Sequence, residues 1–178
     1  MLVTCVRNLL VSESAAGFSS AVFRAAANLA NNLEGSKVAI QFSALNICIT
    51  VKEVDAEHGA HFDPMTSTIY WADSPFIPEI SKLAAIPQGD NVYPSWVVLA
   101  HEIGHVIQFA LSGLEAASWF AKYCNFQEFV EMDNIRRHET PIVRSLLLQP
   151  RVAYTTAGEK NVRAVKQARR ALRAAGRT

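Results

Sequence analysis

Two histidines four residues apart, with a glutamate directly after the first, stand at His101-Glu102-Ile103-Gly104-His105. Residues i and i+4 share one face of an α-helix, so both imidazoles project to the same point, about one turn apart. Paired imidazoles suit a borderline-soft divalent ion such as zinc. A bound ion lowers the pKa of its water towards ~7, and Glu102, beside the first ligand, could take that water's proton. The run that carries the motif is otherwise apolar, with Trp96, Val97, Leu99, Ile103, Val106 and Ile107. Unpartnered polar groups are costly in such surroundings, and a metal removes the objection.

A catalytic zinc takes three protein ligands and leaves the fourth position to water. Gln108, Phe109, Ser112 and Gly113 supply no ligand just after the motif. The next acids are Glu115, then Glu128, Glu131 and Asp133 on a following helical stretch. Glu128 is far enough beyond His105 for a turn and an antiparallel return. Glu131 is one helical turn further on the same face. The residues leave both open.

The elements that must position these groups read in order. Residues 2–11 form a first strand. A helix follows, capped near Ser12 and Ser14 and stopped by Asn31, Asn32 and Gly35. Lys37 to Phe42 and Asn46 to Val54 read as strands from their alternating β-branched residues. Residues 55–68 carry turn chemistry, and Thr68 to Trp71 is a short strand. A long loop then holds Pro75, Pro78, Pro87 and Gly89, and loops of that length often edge active sites. Pro94-Ser95 opens the motif-bearing helix, which Gly113 ends, with Trp96, Phe109 and Trp119 expected in the core. Further helices are expected at 114–123 and 126–146, Pro141 starting a new turn or bending the second. His58 and His61 in their Gly-containing turn, and His138, are expected at the surface. The order gives an α+β class: a small N-terminal β-rich part with a helix, an active-site helix, and a helical C-terminal part.

The 178 residues are enough for one domain with a true core, and 50% hydrophobic content with 19% charged excludes disorder along the whole length. No apolar run is long enough to span a membrane. Three scattered cysteines, Cys5, Cys48 and Cys124, suit a reducing compartment rather than a disulfide framework. The N-terminal residues lack the pattern of a Sec signal. The net charge of +1 conceals a division. From Arg151 onward eight Lys/Arg stand against one acid, whereas the residues before it carry nine basic and fifteen acidic side chains. Residues 1–157 are read as the catalytic domain and 158–178 as a basic helical tail. With few interleaved aromatics, the tail is not expected to bind nucleic acid.

Taken together, the motifs resemble those of the zinc metalloprotease effectors that pathogenic bacteria deliver by type III secretion, and more remotely the clostridial neurotoxin light chains. The shared order runs from VVLAHEIGHVIQ to Gln127-Glu128, then Asp133-Asn134-Ile135-Arg136-Arg137-His138-Glu139, then Arg151-Val152-Ala153-Tyr154. The FDPMTSTIYW segment matches the strand that precedes the active helix. Gln127 stands where the family places an acid. The resemblance implies a zincin-like fold, one zinc per chain held by His101, His105 and Glu128, and Glu102 as general base. It implies Arg151 and Tyr154 as oxyanion donors, with Asp133, Asn134, Arg137 and Glu139 orienting the ligands. The expected function is a zinc endopeptidase acting as a monomer on a protein substrate, such as a host signalling protein, after export into the host cell without a Sec signal. A non-exported bacterial zinc peptidase, residing in the cytoplasm, is the alternative. A degenerate zincin acting as a binding module is the other.

Overall fold

In the computed structural model, residues 8–12, 17–76, 92–120 and 126–151 are described; at 57, 112–120 and 126–129 this covers the helical backbone alone. The first strand of the chain, β1 (Leu9–Val11), pairs in parallel with β2 (Ile49–Glu53). Between them run two helices, α1 (Phe18–Asn31) and α2 (Leu33–Ala44). β2 pairs in parallel with β4 (Thr68–Trp71), whose other edge carries the antiparallel β3 (His61–Asp63). The sheet order is therefore β1-β2-β4-β3. This is a mixed α+β arrangement, as expected, and no helix among the described residues is long and apolar enough to cross a membrane.

Several local expectations are corrected. The segment 37–42 is not a strand but part of α2. Asn32 ends α1 and at once caps α2, its side-chain oxygen accepting from the backbone N–H groups of Glu34 and Gly35. That cap sets a helical phase in which Gly35, Val38, Ala39 and Phe42 face inward, so the apparent alternation of the sequence is overridden. The segment 55–68 is more than a turn: it holds a 3₁₀ turn at Ala56–His58 and all of β3. Asp63 closes the β3–β4 hairpin by accepting from Met65 N–H and Thr66 Oγ.

The third helix, α3 (Ser95–Phe120), starts where expected but passes through Gly113. A single helical glycine costs only about 1 kcal/mol, and the good helix formers on both sides outweigh it. Its beginning is fixed by the sheet. Trp71 Nε1 donates to the Ser95 carbonyl at 3.0 Å, and Asp73 accepts from Ser95 Oγ and from Arg24 of α1. The first half of α3 then packs Val97, Leu99, Ala100 and Ile103 into a core shared with α1, α2 and the sheet. Phe109 departs from the expected core position: it is 59% exposed and meets Phe62 of β3 edge to face.

After α4 (Phe126–Asn134) the chain makes a π turn, Ile135–Glu139, before the short α5 (Thr140–Ser145), with Pro141 in its first turn. The expected helix at 126–146 is thus interrupted rather than continuous. The consecutive residues His138 and Glu139 of this turn are both buried. Residues 2–7 of the expected first strand, most of the proline-bearing loop and the basic tail at 158–178 lie outside the described residues, as does the side chain of Trp119.

Candidate metal centre

The metal-binding motif sits in the buried half of α3, and α4 crosses it at close range. Gly104 makes the approach possible. A Cβ at that position would come within 2.0 Å of Asn134 Oδ1 and 2.8 Å of His138 Nδ1. Asn134 uses the space to donate from Nδ2 to the His101 carbonyl at 2.8 Å and to accept from His138 Nδ1 at 2.8 Å. His138 is therefore buried, 6% exposed, against the expectation of a surface residue. Burial holds it unprotonated, with its pKa lowered to about 4.

His101 and His105 bring their Nε2 atoms to 3.1 Å from each other, with the rings nearly perpendicular. Glu131 Oε2 lies 3.2 Å from the first and 3.3 Å from the second. Among the described residues, these three form the group able to hold a metal ion. The spacing can be tested against coordination chemistry. Zinc bonds of ~2.0–2.1 Å in a tetrahedron place ligand atoms about 3.3 Å apart, so three ligand atoms at these separations fit without rearrangement. The residues suit the ion in type and in distance.

Among the described residues Glu131 supplies the carboxylate of this group; the side chain of Glu128, the third ligand that the resemblance implies, lies outside the described residues. Burial opposes the charge on Glu131, but hydrogen bonds and charges from the two imidazoles outweigh it and hold its pKa well below the carboxylate range.

Each imidazole is also held from behind. His101 Nδ1 lies 2.9 Å from Glu139 Oε2, and Arg151 donates to both oxygens of the same carboxylate. Arg151 Nη2 is 3.1 Å from His101 Nδ1 as well. Because the carboxylate is the acceptor for both groups, Nδ1 carries a hydrogen and donates to it, so that Nε2 is the nitrogen turned to the cluster. Glu139 has its pKa pulled to about 2, burial being outweighed by Arg151 and His101. Burial and the Arg151 charge work against protonation of His101, yet the two glutamates raise its pKa to about 9. The point between these atoms thus attracts positive charge.

Arg151 is largely buried, with its guanidinium committed to Glu139 and lying beside His101 Nδ1. It also stacks over Phe76, 5.5 Å from the ring centroid. Tyr93 fixes the strand of chain that delivers it, donating to the Gln149 carbonyl and accepting from the Arg151 N–H. Tyr154 lies outside the described residues. Behind His105, Gln108 Oε1 lies 3.0 Å from Nδ1. Gln108 and Tyr93 escaped the reading of the sequence, since nothing local distinguishes either from a packed or solvated residue. Arg137 pairs with Asp133, at 2.7 Å, and is mostly exposed. His58 and His61 are exposed and take no part in the cluster.

Glu102 is 4% exposed and close enough to His101, His105 and Glu131 to interact with their charges. Burial raises its pKa, which strengthens it as a proton acceptor. No protein-family model, curated protein or solved structure matches the chain.

Proposed function

We propose that the chain is a zinc-dependent endopeptidase of zincin type. The observation that carries this is the convergence of two imidazole Nε2 atoms and one carboxylate oxygen at 3.1–3.3 Å, beside a buried glutamate adjacent to the first histidine. His101, His105 and Glu131 would hold the metal. Bound there, zinc would supply Lewis acidity, polarising a scissile carbonyl and making water acidic near neutral pH.

The chain's own residues account for the remaining steps. Glu102, made more basic by burial, accepts the proton of the attacking water on its carboxylate and passes it to the leaving amine nitrogen. Glu139 and Arg151 fix the plane of His101, and Asn134 ties the backbone of the same residue to α4. The oxyanion role that the resemblance gives Tyr154 would fall to the segment just after Arg151. The same resemblance supports a bacterial effector exported into host cells, with a host protein as substrate.

The test is direct. Purified chain should contain about one zinc per molecule and cleave protein in host-cell lysate in a chelator-sensitive manner. Glu102→Gln should lower cleavage by about 10²–10⁴-fold while zinc content stays unchanged. Full activity in that variant removes the mechanism, and zinc well below one per chain removes the site. Zinc retained with no cleavage by the wild type would favour the binding-module reading.

A further inference from the structure

The two imidazoles are backed by unlike partners, and the partner of His105 has a role that neither the motif nor the metal assigns. Gln108 lies one turn beyond His105 on α3. Its Nε2 donates to the Val130 carbonyl at 3.1 Å and to Asp133 Oδ2 at 2.8 Å, while its Oε1 faces His105 Nδ1 at 3.0 Å. A backbone carbonyl and a carboxylate can only accept, so both amide hydrogens are used on the α4 side. The reversed amide would set its oxygen against two other oxygens. The orientation of Gln108 is therefore determined by its partners rather than by choice. An amide oxygen facing a ring nitrogen requires the hydrogen to sit on that nitrogen.

We propose that Gln108 is a positioning residue: oriented by Asp133 and the Val130 carbonyl, its amide holds His105 as the Nδ1–H tautomer and aims the Nε2 lone pair at the point shared with His101 Nε2 and Glu131 Oε2. This rests on the metal reading above and extends it to a residue outside the ligand set. Asp133, itself paired with Arg137 at 2.7 Å, acts at one remove by polarising the amide. The arrangement also explains why an amide, and not a carboxylate, occupies position 108. A glutamate there would keep an oxygen towards the ring but turn its second oxygen onto Asp133 and the Val130 carbonyl.

The experiment compares zinc affinity, by chelator competition on the full chain, with the nitrogen-15 signature of the His105 ring in metal-free protein at neutral pH. In the wild type Nδ1 of that ring should carry a hydrogen. Gln108→Leu should weaken zinc binding by about 10- to 100-fold and let the hydrogen leave Nδ1. Gln108→Glu should weaken it as well. Combining Gln108→Glu with Asp133→Asn should restore most of the loss, because the new amide can donate to the outer oxygen of the new carboxylate. A purely structural clamp between α3 and α4 would not move the tautomer signature. Zinc affinity within twofold of wild type in Gln108→Leu, or a double variant no tighter than Gln108→Glu, overturns the proposal. A wild-type chain that binds no zinc would defeat the metal reading instead, and the tautomer of the metal-free ring would still decide the role of Gln108.

Discussion

On one side, α3 packs into the sheet and the first two helices through side chains such as Leu29, Phe42, Ile49, Ile69 and Trp71, all with almost no exposure. On the other, it meets α4 and the π turn through Asn134, His138 and Glu139, with Arg151 behind them, and these are buried as deeply or nearly so. The first contact needs only shape and volume. The second removes several polar and charged groups from water, which costs stability unless each is paired, and here they are paired with one another. No buried side-chain nitrogen or oxygen among the described residues lacks a hydrogen-bond partner. Ion pairs of this kind add little net stability compared with apolar packing of the same volume. A domain of this size has no thermodynamic need of them. The apolar half holds α3 in place, and the polar half prepares its two histidines.

The sharpest way to break this division is to damage the apolar half alone. Phe42 is fully buried in α2, remote in sequence from every ligand. Phe42→Ala should cost about 3–5 kcal/mol of unfolding free energy through lost burial and a residual cavity. Zinc affinity of the folded fraction should stay within twofold of wild type. Denaturant unfolding with and without zinc separates the two quantities. A large loss of affinity would mean that the halves are mechanically one.

The polar half should reveal itself by pH. His138 has an ordinary pKa of 6.5 and a folded value of about 4. Between those values the unfolded chain binds a proton that the folded chain refuses, so stability rises with pH. The contribution is complete above about pH 6.5, declines as acid is added and is lost by about pH 4, a span of about 3 kcal/mol. His101 does not confuse the measurement, because its raised value of about 9 places its own transition on the alkaline side. Unfolding followed at several pH values with chelator present should show the slope, and His138→Gln should flatten it. An unchanged slope would indicate that the buried ring is not the group responsible.

How much of this was legible beforehand follows the same division. The course of α3 and the convergence of His101 and His105 depend on local spacing, and local spacing is what a sequence displays. The reading of 37–42 as a strand failed because Val38, Ile40 and Phe42 alternate, while the decisive residue, Asn32, acts through a cap outside the run. The choice between Glu128 and Glu131 depends on how α4 crosses α3, and that crossing is set by Gly104 meeting Asn134 across a gap of thirty residues in the chain. His138 looked like a surface histidine because nothing local announces the π turn that buries it. Phe109 looked like core because it lies on an apolar run, although it meets only the edge strand, through Phe62, and stays mostly exposed. The polar half is built from tertiary contacts, so its members could be suspected individually but not assembled.

The smallest expected effect lies at the seam where the apolar half fixes the start of α3. Arg24 of α1 donates to Asp73 Oδ2 at 2.7 Å, and the other oxygen of Asp73 accepts from Ser95 Oγ. The Arg24 side chain is 64% exposed, so solvent screens the pair and the ordering of a long side chain offsets much of the attraction. Asp73 retains its bond to Ser95 when the arginine is lost, and Trp71 still holds the Ser95 carbonyl. Arg24→Ala should therefore change unfolding free energy by less than about 1 kcal/mol and leave zinc affinity untouched. Thermal unfolding at low and high salt is the appropriate measurement, since the small difference should shrink further as salt rises. A loss of several kilocalories, or any change in zinc binding, would show that this exposed pair and not the buried aromatic contact sets the position of the helix bearing His101.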